Sequence, residues 1–189
     1  DVGPVTLKDY STVNSLTMNA ADGLSEVLFG ADGQSEILSG MVLFRYSGTN
    51  ALKRIAATSG SITTRNPGGL VLFANGVCER ELTLGGEANH LKVEGPFADP
   101  DGGSPLAMTF ASRRQGSPDR GALYWLSSTA NTFSGGVNLN DGGIAIASDA
   151  SLGAASAPVH VSGDSLLMSA EGPLSLPATR TIELADKAR

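Results

Sequence analysis

No stretch of this 189-residue chain sustains the i, i+3, i+4, i+7 apolar spacing of an amphipathic helix, and that constrains its fold more than any motif. Glycine or proline interrupts nearly every window long enough to test. The best helical candidate, residues 178–188, places Ile182 and Leu184 in alternation, so it reads as a strand. Strand signals recur from end to end. They fall at Val5–Leu7, Ser15–Met18, Val27–Phe29, Ile37–Leu38, Met41–Phe44, Ile55, Ser61–Thr63, Leu70–Phe73, Glu81–Leu84 and Leu91–Val93. They continue through Ala107–Phe110, Leu123–Leu126, Val137–Leu139, Ile144–Ile146, Val159–Val161, Leu166–Met168 and Thr181–Leu184.

Between these runs lie Gly-Gly, Asp-Gly, Asn-Asp-Gly-Gly, Ser-Gly-Asp and Asn-Pro-Gly-Gly. Hairpins use such turns, and so do the corners of a chain that coils, where φ must be positive. Turn chemistry alone therefore leaves a sandwich or barrel open beside a coil. Repetition separates them. Val137 and Val159 are equivalent positions, as are Ile144 and Leu166, each pair within two alternating strands joined by a tight turn. Both pairs are separated by the same interval, about 22 residues, which fits one coil of two or three short strands. Val5, Val27 and Thr49 hold a looser version of the step. The expected fold is all-β, a right-handed parallel β-helix (β-solenoid) of short strands with Gly-rich turns. Its inward positions are Val, Ile, Leu and Phe, and its main-chain groups pair with the coils above and below. Residues 1–120 are expected as irregular coils with a loop projecting near 95–120, and 121–189 as more regular coils of the same continuous solenoid.

Composition narrows the functions. Charged residues make up 17% and aromatics 5%, below what a helix-rich α/β enzyme carries. The net charge of −6 speaks against nucleic acid, since phosphate binding needs clustered Lys and Arg. The adjacent Arg113-Arg114 pair reads as a solvated loop. One cysteine, Cys78, permits no intrachain disulfide. No apolar run approaches the roughly 18 residues of a transmembrane helix. The chain starts at Asp1 without a leader, so either an export signal has been removed or this is an excised portion.

Residues 121–168 carry the most specific pattern. Gly121-Ala-Leu-Tyr-Trp-Leu-Ser-Ser-Thr-Ala-Asn131-Thr-Phe-Ser-Gly-Gly-Val leads into Asn138-Leu-Asn-Asp-Gly-Gly-Ile-Ala-Ile-Ala and then Asp149-Ala-Ser-Leu-Gly153-Ala-Ala. This resembles the autotransporter-associated β-strand repeat: a strand, Ala-Asn-Thr-aromatic-Thr-Gly-Gly, a strand, a glycine turn, a strand and a Leu-Gly close. Phe133 stands for the family's tyrosine and Ser134 for its threonine. The likeness covers about a quarter of the chain, and residues 1–120 share only its style. It implies an exported bacterial surface protein, extracellular or at the cell surface, whose β-helical stalk holds adhesive or enzymatic tips away from the cell.

Chemistry is sparse. Asp99-Pro-Asp101-Gly-Gly is a weak Ca²⁺ candidate, but it lacks EF-hand spacing and the glycine–aspartate nonapeptide, and reads first as an Asp-capped turn. His90 and His160 lie far apart in the sequence with no partner for zinc, and His160 falls on an outward position. Cys78 reads as a packing residue. Of Tyr124 and Trp125, alternation sends one inward and one outward, where it would contact a glycan or a neighbouring chain. No catalytic residue, cofactor or metal is assigned, and the chain is read as no enzyme. Three functions stay open: a structural stalk or filament, an adhesive glycan-binding module, and a polysaccharide-active β-helix enzyme of the pectate-lyase kind with paired carboxylates on adjacent coils. No obvious polar cap stands at either end, so the chain is expected to continue in a larger protein or to associate end to end.

Overall fold

The computed structural model describes residues 5–7, 12–20, 23–46, 51–75, 91–112, 122–170 and 172–185. The described residues hold fifteen strands, all in parallel pairs, and one 3-10 turn at Asp149–Leu152. Short alternating runs bounded by glycine turns become strands because each can bury only one face, and only by pairing with its equivalent in another tier.

The first nine strands show how the tiers repeat. β1 (Val5–Leu7), β4 (Gly23–Phe29) and β7 (Ala51–Ala57) pair in that order. So do β2 (Thr12–Val13), β5 (Gln34–Ile37) and β8 (Ser61–Thr63), and likewise β3 (Leu16–Ala20), β6 (Met41–Tyr46) and β9 (Leu70–Asn75). The first ladder runs on through β10 (Leu91–Glu94) and β12 (Leu123–Leu126). The third runs on through β11 (Met108–Ser112). β13 (Val137–Ile146) and β14 (Val159–Ser169) then serve both ladders, and β15 (Ile182–Leu184) pairs with the start of β14. On the remaining face, Phe97 bridges to Ile62 and no further strand is described.

Equivalent positions in the first ladder are Val5, Val27, Ile55, Val93, Leu126, Ile146 and Ser169. The steps between them are unequal, longest from Ile55 to Val93 and shortest from Leu126 to Ile146. Val5 and Val27 are thus a true register pair. Thr49 lies outside the described residues, and Ile55 takes the next place. Val137 and Val159 also pair as expected, but Ile144 pairs with Leu167, not Leu166. A bulge between Asn140 and Gly142 adds one residue to β14 and moves the later register by one.

The same bulge marks a second difference. Asn-Asp-Gly-Gly is expected to separate two strands, yet β13 runs through it unbroken and rounds a corner there. Asp141, at φ 61°, supplies the left-handed conformation that bends the strand without ending the ladder. The pair Val159–Val161 and Leu166–Met168 merges into β14 in the same way.

The core is the stack of inward side chains. Phe44, Leu72, Phe110 and Leu139 come from one face, Ile55, Tyr124 and Ile144 from another, and Ile37, Ile62, Phe97 and Phe133 from the remaining one, all fully buried. Each contributes about 1.5–3 kcal/mol on leaving water. Of the segment 95–120, Phe97 and Met108–Ser112 belong to the ladders and Leu106 is buried, so the exposed stretch among described residues is 101–105.

Main-chain polarity follows one rule. Inward residues turn their N–H and C=O toward the following tier, and outward residues toward the preceding one. Leu7 O accepts from Gly30, Gly40 O from Val71, Leu126 O from Ala147 and Val161 O from Ala185. Met108 and Val137 in turn donate to Gly136 and Pro158 of the tier after each. The alternation is the one a parallel ladder imposes.

Candidate functional site

Asp99 follows the ladder residue Phe97 and opens the exposed bend. Its carboxylate accepts three hydrogen bonds: from Leu106 N at 2.7 Å, Ser134 N at 3.0 Å and Ser134 Oγ at 2.6 Å. Its carbonyl accepts from Gln34 Nε2 at 2.7 Å, and the Asp101 N–H donates to Gln34 Oε1 at 3.0 Å. The two side chains, Asp99 and Gln34, thus fasten the bend to tiers on both sides. A Ca²⁺ ion would need these same oxygens. Asp101 itself is exposed, and no cluster of metal-ligating residues occurs among those described.

Tyr124 and Trp125 part as alternation requires. Tyr124 is fully buried between Phe44 and Phe110, meeting both rings edge-on, and its hydroxyl lies 2.6 Å from Ala111 O and 3.0 Å from Leu72 O. It is therefore no surface contact. Trp125 is the outward one, half-buried, with the Lys92 ammonium 4.9 Å from its ring centre. Lys92 and Trp125 are register partners, as are Arg54 and Lys92, and Glu26 and Arg54. Arg54 bonds Glu26 at 2.9 Å and also holds Glu94. Burial lowers the Arg54 pKa, but the hydrogen bond and charge of Glu94, with Glu26, reverse this and hold it above its ordinary value. The outer face of this sheet thus carries a charged row, Glu26, Arg54 and Lys92, ending on an indole.

Four residues of the segment Asn131–Gly136 have defined structural roles. Asn131 is buried, accepting from Phe97 N at 2.9 Å and donating to Ser151 O at 2.8 Å, so its amide stands in for strand bonds past β8, where no further strand of that face is described. Phe133 fills the core and Ser134 meets Asp99. Gly136, at φ 95°, sits where a Cβ would come 2.7 Å from Pro158 O. Gly153, closing the motif at φ 79°, leaves no room for a side chain, since a Cβ there would overlap Phe133 O.

Two buried charged residues stand outside the sequence expectations. Arg180 has a fully buried side chain; it pairs with Asp149, Nη2 to Oδ2 at 3.0 Å, and donates to Ala157 O at 2.8 Å and Leu152 O at 3.4 Å. It satisfies carbonyls that a further strand would otherwise meet. Lys53 points inward and is fully buried in the column of Leu91 and Tyr124. Alternation is the signal that could have found it, because Lys53 and Ile55 share one face. His160 lies half-exposed on the outer face with Nδ1 2.8 Å from Glu183 Oε2. Cys78, His90, Arg113, Arg114 and the run Glu81–Leu84 lie outside the described residues.

Among the described residues no helix is long and apolar enough to cross a membrane. Comparison with protein-family models, curated proteins and solved structures returns no match to this chain.

Proposed function

We propose that this chain is a segment of right-handed parallel β-helix serving as a stalk or fibre element of an exported bacterial surface protein. The observation that carries this reading is the set of parallel ladders in which strand after strand pairs with its equivalent one tier on, from Val5 to Leu184. Seven tiers at about 4.8 Å give a body roughly 30 Å along its axis. The polar side chains with most chemistry, Asp99, Asn131 and Arg180, support a mechanical role because each is committed to bonds between tiers. The autotransporter-associated likeness of residues 121–168 agrees with that role and with a place at the cell surface.

X-ray scattering on the purified chain tests the reading. A profile matching seven stacked tiers, a body about as wide as it is long, is expected. A profile that the stacked tiers cannot fit, or a circular dichroism spectrum with helical minima, would remove the stalk.

A second reading, an adhesive glycan-binding module, rests on one observation: the half-buried Trp125 at the end of the charged outer row. An indole face beside hydrogen-bonding side chains suits a sugar ring. Saturable quenching of its fluorescence by soluble polysaccharides, with calorimetric binding lost in Trp125→Ala, would favour it.

A further inference from the structure

We infer that the Asp101–Gly102 peptide is a site of covalent modification, where Asp101 rearranges to isoaspartate and becomes a methyl acceptor for an isoaspartyl methyltransferase that uses S-adenosylmethionine. The sequence holds four Asp-Gly pairs, beginning at Asp22, Asp32, Asp101 and Asp141, and does not rank them. Asp22 lies outside the described residues. The surroundings of the other three differ.

The step is an intramolecular acylation. The Gly102 main-chain nitrogen attacks the side-chain carboxyl carbon of Asp101. An N–C bond forms, a C–O bond breaks, and the carboxyl hydroxyl leaves with the amide proton as water. A second water then opens the five-membered succinimide. Addition at the side-chain carbonyl restores Asp101. Addition at the main-chain carbonyl routes the chain through the side chain and frees the main-chain carboxylate, which is the group the methyltransferase esterifies. Nothing is oxidised or reduced, and the mass before methylation is unchanged. Ring closure needs a following residue with no Cβ in the way, a carboxyl not held elsewhere, and a peptide plane able to turn.

Asp101 meets all three conditions. Residues 100–103 form a turn closed by Gly103 N donating to Pro100 O at 3.2 Å. Asp101 and Gly102 are its central pair, with Gly102 at φ 69° in the place that favours glycine. The closing bond makes no use of the peptide between them. Among the described residues, neither the Gly102 N–H nor the Asp101 carboxylate forms a hydrogen bond. Both residues are exposed, and a Cβ built at Gly102 meets nothing within 4 Å.

Asp32 and Asp141 are held. Asp32 Oδ1 accepts from Ser59 Oγ at 2.5 Å, and Gly33 O accepts from Ser61 N at 2.8 Å while lying so near Gly60 that a Cβ there would come within 1.8 Å of it. Asp141 and Gly142 sit inside β13. Asp141 O accepts from Ser112 Oγ at 3.3 Å, and a Cβ at Gly142 would come 2.7 Å from Ala122 O. Turning either peptide first requires opening a contact between tiers. Asp99 is excluded by its chemistry: the Pro100 nitrogen carries no hydrogen, and the carboxylate already accepts three bonds. The carbon added to the backbone at Asp101 falls in the exposed bend, clear of β10 and β11, so the ladders survive the change.

Ageing the purified chain for several weeks at physiological temperature and pH tests this. Tryptic peptides are then scored for isoaspartate by electron-transfer fragmentation and for methyl uptake from labelled S-adenosylmethionine with an isoaspartyl methyltransferase. Peptide 93–113 contains only Asp99 and Asp101 as aspartates. Isoaspartate should accumulate at Asp101 at least about tenfold faster than at Asp32 or Asp141, the ratio given by an added opening cost of about 1.4 kcal/mol. In concentrated urea the three rates should converge, because the sequence context is shared and only the fold separates them. Asp101→Glu should end methyl uptake by peptide 93–113 with an unchanged circular dichroism spectrum. Equal rates in the folded chain, a ratio that persists in urea, or methyl uptake that survives Asp101→Glu would each overturn the inference.

Discussion

Replacing Asn131 removes a side chain that ties three tiers together past β8, where no further strand of that face is described. In Asn131→Ala the Phe97 N–H loses its acceptor at 2.9 Å and the Ser151 carbonyl loses its donor at 2.8 Å. Each buried main-chain group left without a partner costs about 1–3 kcal/mol. Asn131 is 6% exposed, so water reaches the gap in part, and the expected loss is about 2–4 kcal/mol. For a chain of this size that lowers the thermal midpoint by roughly 5–15 °C. Urea titration should show the midpoint falling at constant slope, and hydrogen exchange should show the Phe97 amide losing protection first. Asn131→Asp sharpens the test. It keeps the acceptor for Phe97 but sets a carboxylate against the Ser151 carbonyl, which favours its neutral form and raises its folded-state pKa above the unfolded one. The penalty is then full at neutral pH and shrinks as pH falls through the folded pKa. An Asn131→Ala chain within about 0.5 kcal/mol of wild type would refute the bridging role, as would an Asn131→Asp penalty that ignores pH.

Gly153→Ala should cost about 2–4 kcal/mol, because its Cβ would overlap Phe133 O at a positive φ. Gly33→Ala, with φ 89° and nothing within 4 Å, should cost only about 1 kcal/mol, and equal losses in the two by calorimetry would refute the steric argument. Arg180→Met leaves Asp149 unpaired beside several carbonyls and should lose about 3 kcal/mol in urea titration; Arg180→Lys should recover less than half, since an ammonium cannot bond both carboxylate oxygens and Ala157 O together. Asp99→Ala should cost about 2 kcal/mol through the bonds to Leu106 and Ser134, while millimolar Ca²⁺ leaves the wild-type thermal midpoint unmoved; a rise on adding Ca²⁺ would reassign the carboxylate.

Strands with clean alternation beside a turn are legible in the sequence: Val5–Leu7, Ser61–Thr63 and Leu123–Leu126 form with the expected limits. Their parallel pairing is legible only where tiers keep a constant length, as at Val137 and Val159. Elsewhere the step stretches, most of all between Ile55 and Val93, and the unequal steps hide the period. The corner at Asp141 is masked because Asn-Asp-Gly-Gly has the composition of a hairpin turn, while one left-handed residue lets a parallel strand bend and continue. Alternation puts Tyr124 and Trp125 on opposite faces, but which one turns inward depends on register. That register is set by Leu91 and Ile144 on the adjoining strands, far away in sequence. Arg180 gives no signal, since its partner Asp149 lies on a distant tier segment and its burial depends on the 3-10 turn that Asp149 opens.

The unequal steps carry a practical consequence for engineering. Among the described residues, surplus chain leaves the stack at a bend, as at 101–105, and the ladders on either side keep their pairing. The exposed bend at 101–105, pinned on both flanks by Asp99 and Leu106, is therefore a place to graft a foreign epitope. Lengthening a loop twofold costs only about 0.6 kcal/mol, so an inserted peptide would ride on the scaffold with little effect on its melting.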